Sequence, residues 1–170
     1  FDAIEKTIRL RYQLLPYIYS TAWQVTSNDE SYMRALIYDF PEDKRVWDLG
    51  NEFLFGRSIL ATPIDTPQYT EEKIIREDAM SGWNRREATT EKRQSVDFAQ
   101  TKYLPKGADW YDFWSEKRYK GGQDVTIETS LDKGPMFVRA GSILPLAPVV
   151  QYAEQSKWEK LEIVVYPGAD

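Results

Sequence analysis

This 170-residue chain contains neither histidine nor cysteine, so the acids available for proton transfer are nearly all carboxylates. The double absence excludes a thiolate nucleophile, a disulfide framework, a Ser-His-Asp triad and a zinc site of the usual Cys/His kind. What remains is work by paired carboxylates on either side of a substrate bond, together with stacking on aromatic surfaces. Carboxylates lie close in sequence at Asp39 with Glu42 and Asp43, at Glu71-Glu72, at Glu77-Asp78, and at Asp109 with Asp112. Spacing alone puts no two of them on opposite sides of a substrate, and a solvated face accounts for each pair. Asp65 and Asp97 read as turn residues.

Aromatic side chains are abundant: 6 Trp, 11 Tyr and 7 Phe make up 14% of the chain. The run Trp110-Tyr111-Asp112-Phe113-Trp114, if extended, places Trp110, Asp112 and Trp114 on one face. Trp110 and Trp114 are therefore the candidates for a sugar platform or an interdomain contact, against the alternative that both faces of the run are packed. Gly121-Gly122 and Gly141 precede neither a helix nor a Lys-Ser/Thr pair, so they read as hairpin glycines rather than a phosphate loop. Arg139 sits in an apolar run and calls for a carboxylate partner. No catalytic, metal-binding or cofactor-binding residue stands out, and no cofactor is implied.

The net charge of −5 and the lack of a Lys/Arg run argue against nucleic acid as a partner. The basic pairs Arg85-Arg86 and Lys92-Arg93 stand among Glu87 and Glu91. No stretch approaches the roughly 18 apolar residues of a membrane span. The chain opens on Phe1 without an initiator methionine and reads as a piece of a longer protein. Absence of cysteine suits an exported protein and a cytosolic one equally.

The elements that must position these residues change character near residue 32. Before it, Ile4, Ile8, Tyr12, Leu15, Tyr19 and Ala22 recur at helical steps, with Asp2 and Glu5 arranged as a capping box. Pro16 should kink this long helix, and Ser27-Asn28-Asp29 ends it. After it come short apolar runs punctuated by Pro, Gly and Asp: Met33 to Tyr38, Phe53 to Ile64, Asp109 to Trp114, Val125 to Ser130, Met136 to Ala140, Ser142 to Leu146 and Leu161 to Tyr166. Such a series predicts a mainly β protein, an antiparallel β-sandwich preceded by one long N-terminal α-helix. Asp43 to Leu49 predicts one or two helical turns. Asp65 to Thr101 is highly charged and reads as a surface insertion, with a strand-like run at Lys73 to Arg76 and a helix-tolerant one from Asn84 to Arg93.

Four ordered blocks resemble the C-terminal part of glycoside hydrolase family 31, the family of α-glucosidases and α-xylosidases. The first, Leu10-Arg11-Tyr12-Gln13-Leu14-Leu15-Pro16-Tyr17-Ile18-Tyr19, is similar to the last helix of the family's (β/α)8 barrel. The second is Asp39-Phe40-Pro41-Glu42-Asp43 with Asn51-Glu52-Phe53-Leu54-Phe55-Gly56 and Ile59-Leu60-Ala61-Thr62-Pro63. The third joins Tyr103-Leu104-Pro105-Lys106-Gly107 to Trp110-Tyr111-Asp112-Phe113-Trp114 and Gly121-Gly122. The last runs from Pro135 to Leu146.

The resemblance implies that residues 1–31 are the last barrel helix. Residues 32–158 would be the proximal C-terminal β-sandwich with the 65–101 insertion, and 159–170 the start of a link to a distal β-domain. It further implies a retaining mechanism through a glycosyl-enzyme intermediate. The aspartates and the substrate-gripping histidine of that mechanism lie upstream of the last helix, so no catalytic residue is carried over to this chain. The partners implied are the barrel of the same longer protein and, through it, an oligosaccharide substrate. The insertion resembles the longer version in α-xylosidase-like bacterial members, which leans the substrate toward α-xylosides. With the barrel missing, the apolar helix stripe should fold back on the sandwich or pair with another copy. The alternative reading is a carbohydrate-binding or interaction module with Trp110 or Trp114 as its platform.

Overall fold

Three short runs, Phe53-Leu54-Phe55, Ile59-Leu60-Ala61 and Met136-Phe137-Val138, are apolar at every position rather than every second one. A strand of that kind needs cover on both faces, and the fold supplies it. The structure, a computed structural model, describes residues 1–65, 72–77, 86–91, 99–155 and 159–168. Their helices are α1 (Asp2–Gln13), α2 (Leu15–Asn28) and the single turn α3 (Leu36–Asp39), with 3-10 turns at Lys44–Asp48 and Ala153–Gln155. Their strands are β1 (Met33–Ala35), β2 (Phe53–Phe55), β3 (Ile59–Ala61), β4 (Glu72–Glu77), β5 (Arg86–Glu91) and β6 (Ala99–Leu104). The series continues with β7 (Trp110–Asp112), β8 (Arg118–Tyr119), β9 (Gln123–Glu128), β10 (Met136–Arg139), β11 (Ile143–Leu146) and β12 (Glu162–Val165).

The central sheet has the order β1-β2-β3-β10-β7-β8, antiparallel throughout. Register sorts its side chains into two rows. Leu54, Leu60, Phe137 and Asp112 face one way, and Phe55, Ile59, Val138 and Tyr111 the other. The first face packs with Trp110 against Leu36, Phe40, Val46, Tyr103, Leu104 and Val125, which brings in the β6–β9 pair as a second layer. The second face packs against Leu14 and Tyr17 of the helices and Leu144 and Tyr166 of the β11–β12 hairpin. Each fully buried Leu or Phe in these clusters contributes about 1.5–3 kcal/mol of transfer free energy. The expected mainly β, antiparallel architecture holds, with a third layer of helices and hairpin closing the sheet's other face.

Four local readings change. The long helix is two segments: Leu14 (φ −78°, ψ 0°) separates them, and Pro16 lies in the first turn of α2, where its missing N–H costs nothing. The carbonyl of Gln13, at the end of α1, accepts from Ala147 N–H at 2.8 Å. Asp2 is not the cap. Phe1 holds that position, so Asp2 and Glu5 act as first-turn acids without a capping bond. The run after Met33 leaves the sheet after three residues and closes α3, Phe40 N–H donating to Leu36 C=O, because Pro41 prevents continuation. Finally, the helix-tolerant run Asn84 to Arg93 contains strand β5, paired in register with β4 from Glu72↔Glu91 to Glu77↔Arg86. A neighbouring strand outweighs weak intrinsic preference, and Thr89-Thr90 favours the extended form.

Candidate functional site

Among the described residues, the carboxylates singled out by spacing, Glu42 apart, are held by other groups of the fold. Asp39 Oδ2 accepts from Arg34 Nε at 2.7 Å, while Arg34 Nη1 donates to Glu30 at 2.6 Å and Arg57 also binds Glu30. Arg139 completes the group, 3.7 Å from Asp39 Oδ1 and above the Phe40 ring, so its expected carboxylate partner is Asp39. Hydrogen bonding from Arg57 holds the Glu30 carboxyl below its ordinary range. Asp109 pairs with Arg118 at 2.8 Å, Asp65 accepts from Asn51, and Glu42 is exposed at the surface. Glu71-Glu72, Glu77-Asp78, Arg85-Arg86, Lys92-Arg93 and Asp97 lie outside the residues whose side chains the structure describes.

Asp43 is buried at the N-cap of the 3-10 turn. Its Oδ2 accepts from the Tyr103 hydroxyl and from Lys106 N–H, both at 2.8 Å, and its Oδ1 from Arg45 N–H at 3.2 Å. Burial pushes this carboxyl up, but the three donors outweigh it and hold the group below its ordinary value. Tyr103 is pushed up to about 12, first by burial and then by its hydrogen bond to the Asp43 carboxylate. Arg45 caps this arrangement, its guanidinium 4.0 Å from the Tyr103 ring centroid and paired with Asp124.

Glu52 escaped the sequence reading. It is 4% exposed; Oε1 accepts from Tyr103 N–H at 3.1 Å, and Oε2 has no partner among the described residues. Burial raises its carboxyl despite that bond and the nearby Lys102 and Arg45. No pattern in Asn51-Glu52-Phe53 distinguishes a buried acid from a turn residue.

The two indoles part company. Trp110 is fully buried, its Nε1 donating to Pro105 C=O at 3.0 Å and its ring 5.7 Å from Phe40, so it offers no face to a sugar or a neighbouring domain. Strand β7 stops at Asp112, and Trp114 follows in a turn instead of continuing the face. The cause is the Asp112 carboxylate: Oδ1 accepts from Trp114 N–H, Ser115 N–H and the Ser115 hydroxyl, which curls the chain. Trp114 is half-buried on a cleft of about 450 Å³ that also borders Thr126 and Glu128. Its indole N–H donates to Gly134 C=O at 2.8 Å, and Lys133 lies over the ring.

The helices present a row of uncovered apolar side chains. Their docked side is Leu10, Leu14, Tyr17, Ile18 and Thr21. Of the expected stripe, Tyr12, Leu15 and Ala22 are half-buried, but Ile4 is 66% exposed, Ile8 50% and Tyr19 74%, with Trp23 at 55% beside them. Lys6 of α1 pairs with Asp132 after β9, and that bond, with one from the Ser130 hydroxyl, holds the Asp132 carboxyl at about 2. The helices thus fold back on the sandwich through one side and leave the other side bare. No helix among the described residues is long and apolar enough to cross a membrane.

Comparison with known proteins accounts for this combination of layers. Residues 29–96 and 87–144 match the profile of the glycosyl hydrolase family 31 C-terminal domain. The chain is 34% identical over 167 residues to the α-xylosidase of Saccharolobus solfataricus, covering 98% of the chain but 19% of that protein. It is 32% identical over 151 residues to α-glucosidase 2 of Bacillus thermoamyloliquefaciens, covering 89% and 16%. Its fold resembles that of the GH31 α-xylosidase from Xanthomonas citri with a TM-score of 0.77 at 33% identity, over 99% of this chain and 15% of that one. The chain therefore spans less than a fifth of the length of these relatives.

Proposed function

Since this chain belongs to glycosyl hydrolase family 31 and matches its C-terminal domain, we propose that it is the non-catalytic support of a longer retaining α-glycosidase. Residues 1–31 are then the last helical segment of a catalytic barrel, 32–158 the proximal β-sandwich that buttresses it, and 159–170 the lead into a distal β-domain. The observation that carries this reading is the bare side of α1 and α2. Ile4, Ile8, Tyr19 and Trp23 lie exposed on helices whose other side is already docked, as expected of an element shared between two bodies.

The longer protein would hydrolyse α-xylosides or α-glucosides by attack of one carboxylate on the anomeric carbon. A second would serve as acid and then base, with the two carboxyl groups about 5–5.5 Å apart. Both come from the barrel in this reading, and the α-xyloside assignment draws on the α-xylosidases to which the chain is similar. Trp114 remains available as a contact to a neighbouring domain. The test is an assay of the purified 170-residue chain with aryl α-xyloside and aryl α-glucoside, beside a chain extended upstream through a complete barrel. Turnover by the extended chain alone is expected. Turnover by the short chain, free of contaminating enzyme, refutes the supporting role. Saturable quenching of Trp fluorescence by an oligosaccharide, lost in Trp114→Ala, would favour a sugar-binding module instead.

A further inference from the structure

A cleft of about 620 Å³ opens between α2, the β2–β3 turn and the start of β11, within the roughly 300–1,000 Å³ of small-molecule sites. Its floor is rigid. The Tyr17 hydroxyl donates to Phe55 C=O at 2.6 Å and accepts from Ser58 N–H at 3.2 Å, while the Thr21 hydroxyl donates to Tyr17 C=O at 2.9 Å. Gly56 closes over them without a side chain; a Cβ there would stand 2.4 Å from the Tyr17 oxygen.

The walls carry complementary chemistry. Ser20, Gln24 and Asn28 follow at steps of four along α2 and form one row. Asn28 Nδ2 donates to Gln24 Oε1, which orients both amides and leaves the Gln24 Nε2 protons and the Asn28 carbonyl oxygen for a ligand. Arg57 stands at the opposite rim, already paired with Glu30. At one end Ile143 and Pro145 project from β11 on one side of the strand and give the cleft an apolar wall.

We infer that this cleft binds a neutral polyhydroxyl ligand, a sugar of one or two rings. An anion would have to displace or share the Glu30 carboxylate that already engages Arg57, and a cation gains little from a carboxylate that already binds two guanidinium groups. A purely apolar ligand would strip water from the Ser20, Gln24 and Asn28 side chains without replacing it. A sugar ring offers hydroxyls to that row and C–H groups to Ile143 and Pro145. The inference does not rest on the supporting role and stands or falls separately.

The test is a titration of the 170-residue chain with maltose, read from backbone amide chemical shifts, with inorganic phosphate as a parallel arm. Saturable shifts at Gly56, Arg57 and Ser58 are expected with maltose. Gln24→Ala, at an exposed helical position where alanine is well tolerated, should weaken binding about tenfold by removing one hydrogen bond to the ligand. Ser20→Phe should block the cleft from another exposed position with the fold intact. No saturation with maltose overturns the inference. So does preference for phosphate, or maltose binding that survives both variants and is lost in Trp114→Ala.

Discussion

Replacing Tyr17 with phenylalanine removes one oxygen and leaves two backbone groups, the Phe55 carbonyl and the Ser58 N–H, without their partner. The ring keeps its place, 5.9 Å from Phe55 and 7% exposed, so packing is nearly unchanged. A buried group left unpaired costs about 1–3 kcal/mol. Two such groups set an upper bound near 6 kcal/mol. The neighbouring cleft admits water to the same spot, and a bridging water recovers much of a lost bond. The expected net loss is therefore about 1–3 kcal/mol, or about 2–12 °C in Tm for a chain of this size. Urea unfolding followed by circular dichroism measures it, with an unchanged slope showing that the native fold persists. Gly56→Ala provides the cross-check. Its backbone, at φ 63°, is unfavourable for alanine, and the added Cβ would meet the Tyr17 oxygen. Gly56→Ala should therefore cost less in a Tyr17→Phe background than alone. A Tyr17→Phe loss below about 0.3 kcal/mol, or strict additivity of the two changes, would refute the hydroxyl as the tie between α2 and the β2–β3 turn.

Other perturbations have equally definite outcomes. Because Asp43 titrates below its unfolded value, its contribution is complete above about pH 4 and disappears as pH falls through the folded value. Asp43→Asn should lower the urea midpoint at pH 7 and flatten its fall in acid. Tyr103, with a folded pKa of about 12, makes stability decline between about pH 10 and 12; Tyr103→Phe should abolish that part of the alkaline loss, seen as the missing last step in tyrosinate absorbance. Gly121→Ala would place a Cβ 2.2 Å from Ala108 O and 2.3 Å from Pro105 O, both backbone, and should cost about 1–3 kcal/mol or more, read as a lowered urea midpoint or lost soluble yield. The bare helix side should drive concentration-dependent association in light scattering, and Ile8→Glu should return the mass to that of a monomer without lowering Tm; a monomer at all concentrations in the parent sequence contradicts this.

Much of the fold is legible because local pattern and final environment agree. Val125-Thr126-Ile127-Glu128-Thr129 alternates in sequence and alternates in exposure, and the unbroken apolar runs become the doubly covered sheet. The helix period is equally clear, yet it does not say which side docks. Ile4, Ile8 and Tyr19 outline the more regular stripe, but the side that meets the sandwich is Leu10, Leu14, Tyr17 and Ile18. Trp110 and Trp114 look equivalent two residues either side of Asp112; a single carboxylate turning the chain sends them to different environments. Glu52 and the Ser20–Gln24–Asn28 row are illegible for the same reason, since their character comes from segments distant in sequence.

The central sheet also dictates an order of events during synthesis. β3 has β2 as an early neighbour, but its other edge pairs with β10, about 75 residues later in the chain. At about 5–20 residues per second, that edge waits roughly 4–15 s on the ribosome before its partner exists. Throughout that interval Ile59 and Leu60 carry an unpaired strand edge with apolar faces, a ready template for the wrong strand. Arrival of Met136–Arg139 joins the early hairpin to β7 in one step, so closure of the sheet should be the slow and cooperative event, and the charged stretch between β3 and β6 passes through the exit tunnel during the wait.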